Sequence, residues 1–370
     1  MEMRFIVSGG GTSGHINPAI SIADALVKYY EAKGDTCKII FTGRQDGYEG
    51  TLVPKAGYEL KDIPAEPFPM KPGPRMARAY ATLRRGKARC AEIIRDFDPH
   101  AVIGTGGFVC APLLLAASKL KVPVVIHEAN AFPGRANRLI ARRADIVLTG
   151  FPNLEHAFPK AKRLICVGNP VRDMMFDCTF EGSREKLGIK EGEKLVFAMG
   201  GSRGSKTINE FIIAAAQKEE FKDVKFVLGA GMQQSALLPE GFKVPDNLTI
   251  MKYVDNPNDY MAAADVSITR AGAVTCAEIA AMGACSVFIP YPYAAQKHQN
   301  FNAQAFVDIG GAVMMEDDDV CEGKLFPVLE DLLKDDEKRK TMRSNALKLA
   351  VPDCSERITK AIDDYLTNER

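Results

Sequence analysis

The chain opens on a short apolar run, RFIVS (4–8), that stops at a cluster of glycines, after which Ile16, Ile20, Ala23, Val27 and Tyr30 recur at helical spacing until Gly34. This pattern predicts a strand, a loop and an amphipathic helix. Further short apolar runs follow at KIIF (38–41), AVIG (101–104), VPVVIH (122–127) and DIVLTG (145–150), with helix-like segments between several of them. Strands alternating with helices predict a parallel sheet covered on both faces.

The pattern then restarts. KLVFAMGGSRGSKTINEFIIAAA (194–216) again reads as strand, glycine-rich turn and helix, and KFVLGAG (225–231), LTIMKYV (248–254), DVSITRAG (265–272) and CSVFIPYP (285–292) supply further strands. The expected class is α/β, with two Rossmann-like, doubly wound parallel-sheet domains facing a cleft. Turn chemistry at Gly168, Asn169 and Pro170, after the run RLICV, sets the expected halves at 1–168 and 169–352. A last helical segment, 353–370, follows the Pro352 breaker and is expected to pack back on one of the halves, the N-terminal one foremost.

Length agrees with this division, since 370 residues exceed one typical domain and suit two of about 150–200 residues. Lys and Arg number 48 against 47 Asp and Glu, so there is no net field to attract nucleic acid. The nine cysteines are scattered without a C-x-x-C pair, which suggests neither a disulfide framework nor a zinc site and favours a reducing, cytoplasmic compartment. Met1 leads directly into the first strand and no apolar run approaches the length of a membrane span, so neither export nor a transmembrane segment is expected.

The first turn carries the chemistry to be explained. Gly9, Gly11 and Gly14 fit G-x-G-x-x-G, yet a nicotinamide dinucleotide site also needs an acidic residue at the end of the second strand. That strand ends at Thr42, Gly43 and Arg44, with Asp46 only after the turn, and only a weak NADP reading through Arg44 survives. The turn also holds Thr12, Ser13 and His15 at a helix start, where free N–H groups, hydroxyls and an imidazole suit an anion beside a hydroxyl. The plainer alternative is a tight turn whose histidine bonds the neighbouring loop. Glycine-rich helix starts recur at GTGGFVCAP (104–112), GGSRGS (200–205) and RAGAVTCAE (270–278). Four of them on one cleft exceed the needs of one nucleotide and point to two diphosphate ligands.

In order along the chain, GGGTSGHINPA, GTGGFVCAP, HEANAFPGRANR, VGNPVR, MGGSRGSKTIN, RAGAVTCAE and PYPYAAQKHQNFNA resemble the MurG family. Its members transfer N-acetylglucosamine from UDP-N-acetylglucosamine to undecaprenyl-diphosphate-linked muramoyl peptide. The resemblance covers essentially the whole chain and implies a GT-B glycosyltransferase fold, with the acceptor on the N-terminal, membrane-facing half and the nucleotide sugar mainly on the C-terminal half. By position, it implies that Thr12, Ser13 and Gly14 lie against the donor's sugar and diphosphate, and that Asn130 bonds the N-acetylglucosamine. Arg172 and Ser202 would bind the nucleotide's charged part, and the backbone at Val254 would read uracil. Amides of Ala273, Val274 and Thr275 would face the diphosphate, Glu278 the ribose hydroxyls and Gln299 the sugar, with Asn302 in support. Each has a plain alternative: a surface ion pair for Arg172, a turn residue for Asn130, a helical carboxylate for Glu278, a polar surface group for Gln299. Ser13 stands where the family usually has glycine, and His298 where the first of two glutamines often stands.

The implied reaction is transfer to the 4-hydroxyl of the muramoyl sugar of lipid I, with inversion, giving lipid II at the cytoplasmic face of the cell membrane. His15 is the candidate general base, with a positioning role as its alternative. Gly104, Thr105, Gly106 and Gly107 would hold the lipid's diphosphate. No DxD-like acidic pair stands near the motifs, so neither a metal nor another cofactor is expected. Between residues 67 and 95, Lys71, Arg75, Arg78, Arg84, Arg85, Lys87 and Arg89 mix with Phe68, Met70, Met76, Tyr80 and Leu83. That composition suits an anionic membrane surface, or a solvated basic helix whose apolar residues face the core. Other cell-wall synthesis proteins are candidate partners and nucleic acid is not. The rival activities are a UDP-N-acetylglucosamine 2-epimerase, another lipid glycosyltransferase on this fold, and a non-catalytic nucleotide-sugar-binding scaffold.

Overall fold

The computed structural model describes all residues except 70, 72, 202, 233–242, 369 and 370. The chain divides into two compact units, Met1–Val171 joined by Asp353–Arg370, and Arg172–Pro352.

The first unit is built on seven strands: β1 (Glu2–Ser8), β2 (Thr36–Gly43), β3 (Glu59–Asp62), β4 (Ala101–Gly104), β5 (Val124–Glu128), β6 (Ile146–Thr149) and β7 (Leu164–Cys166). They lie in the order β3-β2-β1-β4-β5-β6-β7 and every pair is parallel. The second unit has six: β8 (Lys194–Met199), β9 (Val224–Gly229), β10 (Leu248–Met251), β11 (Val266–Thr269), β12 (Ser286–Phe288) and β13 (Ala312–Met314). These are also all parallel, in the order β10-β9-β8-β11-β12-β13. Strands β4, β5, β6, β11 and β12 are buried along their whole length, which is why they read as largely apolar runs rather than alternating ones.

Two strands lie outside the sequence pattern, β3 and β13, and both are the outermost strands of their sheets. ELKD of β3 has no buried residue and carries no apolar signal, and β13 offers only the short run AVM directly after Gly310 and Gly311. Conversely, the runs 248–254, 265–272 and 285–292 outlast their strands, and the surplus residues form the turns at the strands' carboxyl ends.

In each sheet the strand order reverses between the first and fourth strands of its unit, at β1/β4 and at β8/β11. Parallel strands place all their carboxyl ends on one edge, so the turns that leave those four strands flank the two switch points where such sheets bind ligands. These turns are the four glycine-rich segments.

The Ser13–Ala32 helix packs on the first sheet through Ile16, Ala19, Ile22, Ala23, Leu26 and Tyr30. The closing Cys354–Asn368 helix is held to it by Asp363, whose carboxylate accepts from Tyr29 Oη (2.9 Å), Tyr30 Oη (3.0 Å) and Lys33 Nζ (2.8 Å). Burial raises the Asp363 pKa, but bonds from Lys33, Tyr29 and Tyr30 outweigh it and hold the carboxyl below its ordinary value. Among the described residues no helix is long and apolar enough to cross a membrane.

Asp363→Ala leaves the buried Tyr30 hydroxyl without its acceptor, and the expected loss of stability in urea denaturation is about 1–3 kcal/mol. Because the folded carboxyl's pKa is depressed, this contribution is present above the unfolded value near 3.8 and is lost as pH falls through the lower folded one.

Candidate functional site

In the first unit the turns after β1 and β4 lie directly against each other. Gly10 N donates to the Gly106 carbonyl (3.4 Å), and a Cβ on Gly107 would overlap the Gly10 carbonyl. Gly106 and Gly107 have φ of +111° and +80°, which other residues adopt only under strain. The His15 ring lies on these two glycines: a Cβ on Gly106 would come 2.8 Å from Nδ1, and one on Gly107 would come 3.3 Å from Cδ2. Thr105 Oγ1 donates to the His15 carbonyl at 2.6 Å. His15 and residues 105–107, read from the sequence as parts of different subsites, are thus one assembly. Gly104 ends β4 in the core, where the missing Cβ makes room for Leu114; Thr105 and Gly106 are buried and Gly107 is half-buried.

Thr12 begins the Ser13–Ala32 helix in an extended conformation, without a side-chain bond to the first-turn amides. Thr12 and Gly14 are exposed and Ser13 half-buried, so this helix start is open to a ligand.

Strand β5 ends in a buried carboxylate that sequence reasoning passed over. Glu128 accepts from Asn130 N (3.0 Å), Asn130 Nδ2 (3.1 Å), Gly134 N (2.9 Å) and Asn137 Nδ2 (2.8 Å), and so fixes the half-buried Asn130. The buried His127 donates from Nε2 to the Gly168 carbonyl (3.0 Å), and Asn169 Nδ2 donates to the Ala129 carbonyl (2.9 Å). Burial lowers the His127 pKa, which keeps the ring neutral in this role.

In the second unit Gly201 and Gly204 have φ of +87° and +82°, and Ser205 Oγ caps the Lys206–Ala216 helix by accepting from Ile208 N (3.4 Å). Ser202 lies outside the described residues. Arg270, also passed over, braces the neighbouring turn. Its guanidinium donates to the carbonyls of Ile289 and Pro290 (both 3.0 Å), to Ser205 Oγ (2.7 Å) and to the Asp317 carboxylate. One side chain therefore ties together the carboxyl ends of β11 and β12 and the turn after β8.

The Ala273–Met282 helix starts at Gly272 without a side-chain cap. The amides of Ala273, Val274 and Thr275 lie in its first turn, where no helical carbonyl is available to them. Glu278, one turn on, is half-buried at its surface, yet protein crowds its carboxyl, and desolvation pushes the pKa up to about 7 against the opposing pull of Arg172. Arg172 and Glu278 are thus brought together.

Val254 is buried in the loop after β10, against Gly229. Gln299 Oε1 accepts from Tyr291 N (2.8 Å), which leaves its NH2 as the donor. Asn302 Nδ2 donates to the Ala271 carbonyl (3.1 Å), bracing the turn after β11, and His298 Nδ1 donates to the Ala295 carbonyl (2.9 Å). Gln296 and Lys297, just ahead of this helix, both adopt left-handed φ (+56° and +52°), strain of the kind that gathers at functional segments. Among the described residues no three His, Cys, Asp or Glu side chains converge to hold a metal ion.

The glycosyltransferase family 28 N-terminal domain matches residues 5–149 and the family 28 C-terminal domain matches residues 195–358. The UDP-N-acetylglucosamine–N-acetylmuramyl-(pentapeptide) pyrophosphoryl-undecaprenol N-acetylglucosamine transferase of Acetivibrio thermocellus is 36% identical over 371 residues, 99% of each chain. The protein of the same name from Caldicellulosiruptor saccharolyticus is 33% identical over 370 residues, again 99% of each. Among solved structures, MurG of Acinetobacter baumannii superposes with a TM-score of 0.75 at 26% identity, over 98% of this chain and 99% of that one. A UDP-N-acetylglucosamine 2-epimerase from Neisseria meningitidis has a TM-score of 0.65 at 16% identity, over 98% and 100%, and shares the fold alone. The chain belongs to the family of UDP-N-acetylglucosamine–N-acetylmuramyl-(pentapeptide) pyrophosphoryl-undecaprenol N-acetylglucosamine transferases, within glycosyltransferase family 28.

Proposed function

We propose that this chain transfers N-acetylglucosamine from UDP-N-acetylglucosamine to the 4-hydroxyl of the muramoyl sugar of lipid I, giving lipid II. The observation that carries the reading is the set of four glycine-rich turns flanking both switch points in a chain related end to end to such transferases.

The donor binds the second unit. The uncapped amides of Ala273, Val274 and Thr275 take its diphosphate, aided by Arg172 and Ser202, and the backbone at Val254 meets the uracil. Glu278 accepts from the ribose hydroxyls and the Gln299 amide holds the sugar. On the first unit Asn130 bonds the N-acetylglucosamine, Thr12, Ser13 and Gly14 approach the donor, and the turn 104–107 holds the lipid diphosphate, chiefly at the half-buried Gly107. The 4-hydroxyl oxygen attacks the anomeric carbon while its proton passes to His15. The bond to the β-phosphate oxygen breaks, its electron pair leaves with UDP, and a single displacement inverts the centre. Amides fixed before the reaction stabilise the growing charge on the leaving group without reorganising, and this route needs no metal.

The acceptor's lipid brings the protein to a membrane at its cytoplasmic face. The Pro74–Phe97 helix packs inward through Ala79, Thr82, Gly86, Cys90, Ile93 and Ile94, while Arg75, Arg78, Tyr80, Arg84, Arg85 and Arg89 are exposed. Lys71 and Phe68 are exposed ahead of it, Met76, Leu83 and Lys87 are half-buried, and Met70 lies outside the described residues. The inward face is thus complete without Tyr80, which is 59% exposed among the cations and supports surface binding over a purely core-facing role.

UDP release should require both donor and a short-chain lipid I analogue, persist in EDTA, and collapse in His15→Ala. Release with donor alone would fit an epimerase or hydrolase instead, and wild-type turnover in His15→Ala would remove the base assignment. Binding to anionic vesicles should weaken with salt and with charge reversal at Arg84 and Arg85, and indifference to both would exclude this helix as the contact.

Glu278 makes donor binding depend on pH. With a ligand-free pKa of about 7, the carboxylate that accepts from ribose must first lose a proton, so UDP-N-acetylglucosamine affinity should fall as pH drops below about 7. Glu278→Gln should bind weakly at every pH, with a flat profile by calorimetry. The raised pKa also means that ionised Glu278 costs stability, so the melting-temperature gain of Glu278→Gln over wild type should grow as pH rises from the ordinary value of 4.5 to about 7 and level off above it.

A further inference from the structure

The acidic residue missing from the end of β2 reappears slightly later, in a different role. Glu49 opens the Glu49–Lys55 helix, is 1% exposed, and turns back toward the first glycine turn, where its Oε1 accepts from Gly11 N at 2.9 Å. Space has been cleared for it on several sides. A Cβ on Gly10 would overlap Oε1, one on Gly47 would overlap Oε2, and one on Gly43 would come 3.0 Å from Glu49 Cβ. Gly11 itself has φ of +83°.

A carboxylate removed from water is costly unless it is tightly bonded. Glycine-rich turns of this kind offer their amides to an anion, commonly a phosphate. Here the chain supplies the anion itself. The turn so held continues through Gly10 to Gly106 and Gly107, on which the His15 ring lies.

We propose that Glu49 is a positioning residue for the transfer reaction: its buried carboxylate is a built-in anion that locks the turn 9–11, thereby places His15, and denies the Gly11 amide to any phosphate. The catalytic part of this inference rests on the reading of His15 as the proton acceptor. The exclusion of phosphate follows from the bond to Gly11 and does not depend on that reading. It accounts for a G-x-G-x-x-G turn put to another use, because a buried carboxylate of the chain already occupies the turn's own amide.

The test uses Glu49→Gln, which keeps the shape and loses the charge, and Glu49→Ala, which leaves a space for a small carboxylate. In the full-length protein labelled at glycine nitrogen and histidine carbon, Glu49→Gln should move the Gly11 amide proton upfield and displace the His15 ring signals. Its kcat should fall about tenfold or more, as expected when a reacting group is slightly misplaced, with UDP affinity changing much less because the second unit chiefly supplies it. In Glu49→Ala, added formate should recover part of the lost kcat, and inorganic phosphate should now perturb the Gly11 amide, which it leaves untouched in wild type. Unchanged Gly11 and His15 signals in Glu49→Gln would overturn the proposal, as would wild-type kcat in that variant. If Glu49→Ala does not fold, Glu49→Gln decides alone. Absence of transfer by the wild-type protein would defeat the reaction assigned above, whereas the resonance shifts would still decide whether Glu49 holds the turn.

Discussion

The contact on which the rest of the first unit's site depends is main chain against main chain, with no Cβ between. The turns after β1 and β4 approach so closely that a methyl group on Gly9, Gly10 or Gly107 would overlap the facing turn or the Glu49 carboxylate. Only glycine permits that approach, and only that approach lays the His15 ring on Gly106 and Gly107. The same constraint recurs in the second unit, where a Cβ on Gly200 would overlap Ser205 and one on Gly231 would overlap the Gly204 amide. In the first unit sheet topology brings the two turns together at the switch point, whereas in the second the close contacts lie within the turn after β8 and between it and the turn after β9; in both, the absence of side chains lets main chain touch.

Close-packed turns leave polar groups that must be satisfied inside the protein, and buried or half-buried charges perform this task. Glu49 holds the turn after β1, Glu128 organises the loop that carries Asn130, and Arg270 with Asp317 joins the strand ends of the second unit. Each of these charges is bonded to main chain, directly or through a neighbouring side chain. The groups read as meeting substrate lie on the accessible edges of these assemblies: the open helix start at Thr12, the amides beginning at Ala273, and the half-buried Asn130, Glu278 and Gln299. Glu278 stands apart among the carboxylates because protein crowds it without bonding it strongly enough to hold it ionised, which places its titration near neutrality.

What could be read from the sequence followed burial and local geometry. Central strands such as β4 and β6, covered on both faces, print uninterrupted apolar runs, and glycine-rich turns are visible because the backbone demands them locally. The edge strand β3 prints no apolar pattern because none of it is buried, and the edge strand β13 prints only the short run AVM after two glycines. Glu49, Glu128 and Asn137 were illegible for another reason: their roles depend on partners brought near by folding, as when Glu49 meets Gly11 from 38 positions away. Arg270 lay in a quoted motif without its bracing role being apparent, because its acceptors come from the ends of other strands. Even the assigned residues gained relations the sequence could not supply, most clearly His15 with Gly106 and Gly107.

The proposed transfer requires ligands to meet the four turns at the carboxyl ends of the two sheets. Amide hydrogen exchange, followed by mass spectrometry with and without UDP-N-acetylglucosamine and a lipid I analogue, tests it most directly. The donor should protect the helix start at 273–275 and the segment 200–205, and the acceptor should add protection at 104–107. Protection confined to other segments, with these turns exchanging as in the free protein, would contradict it.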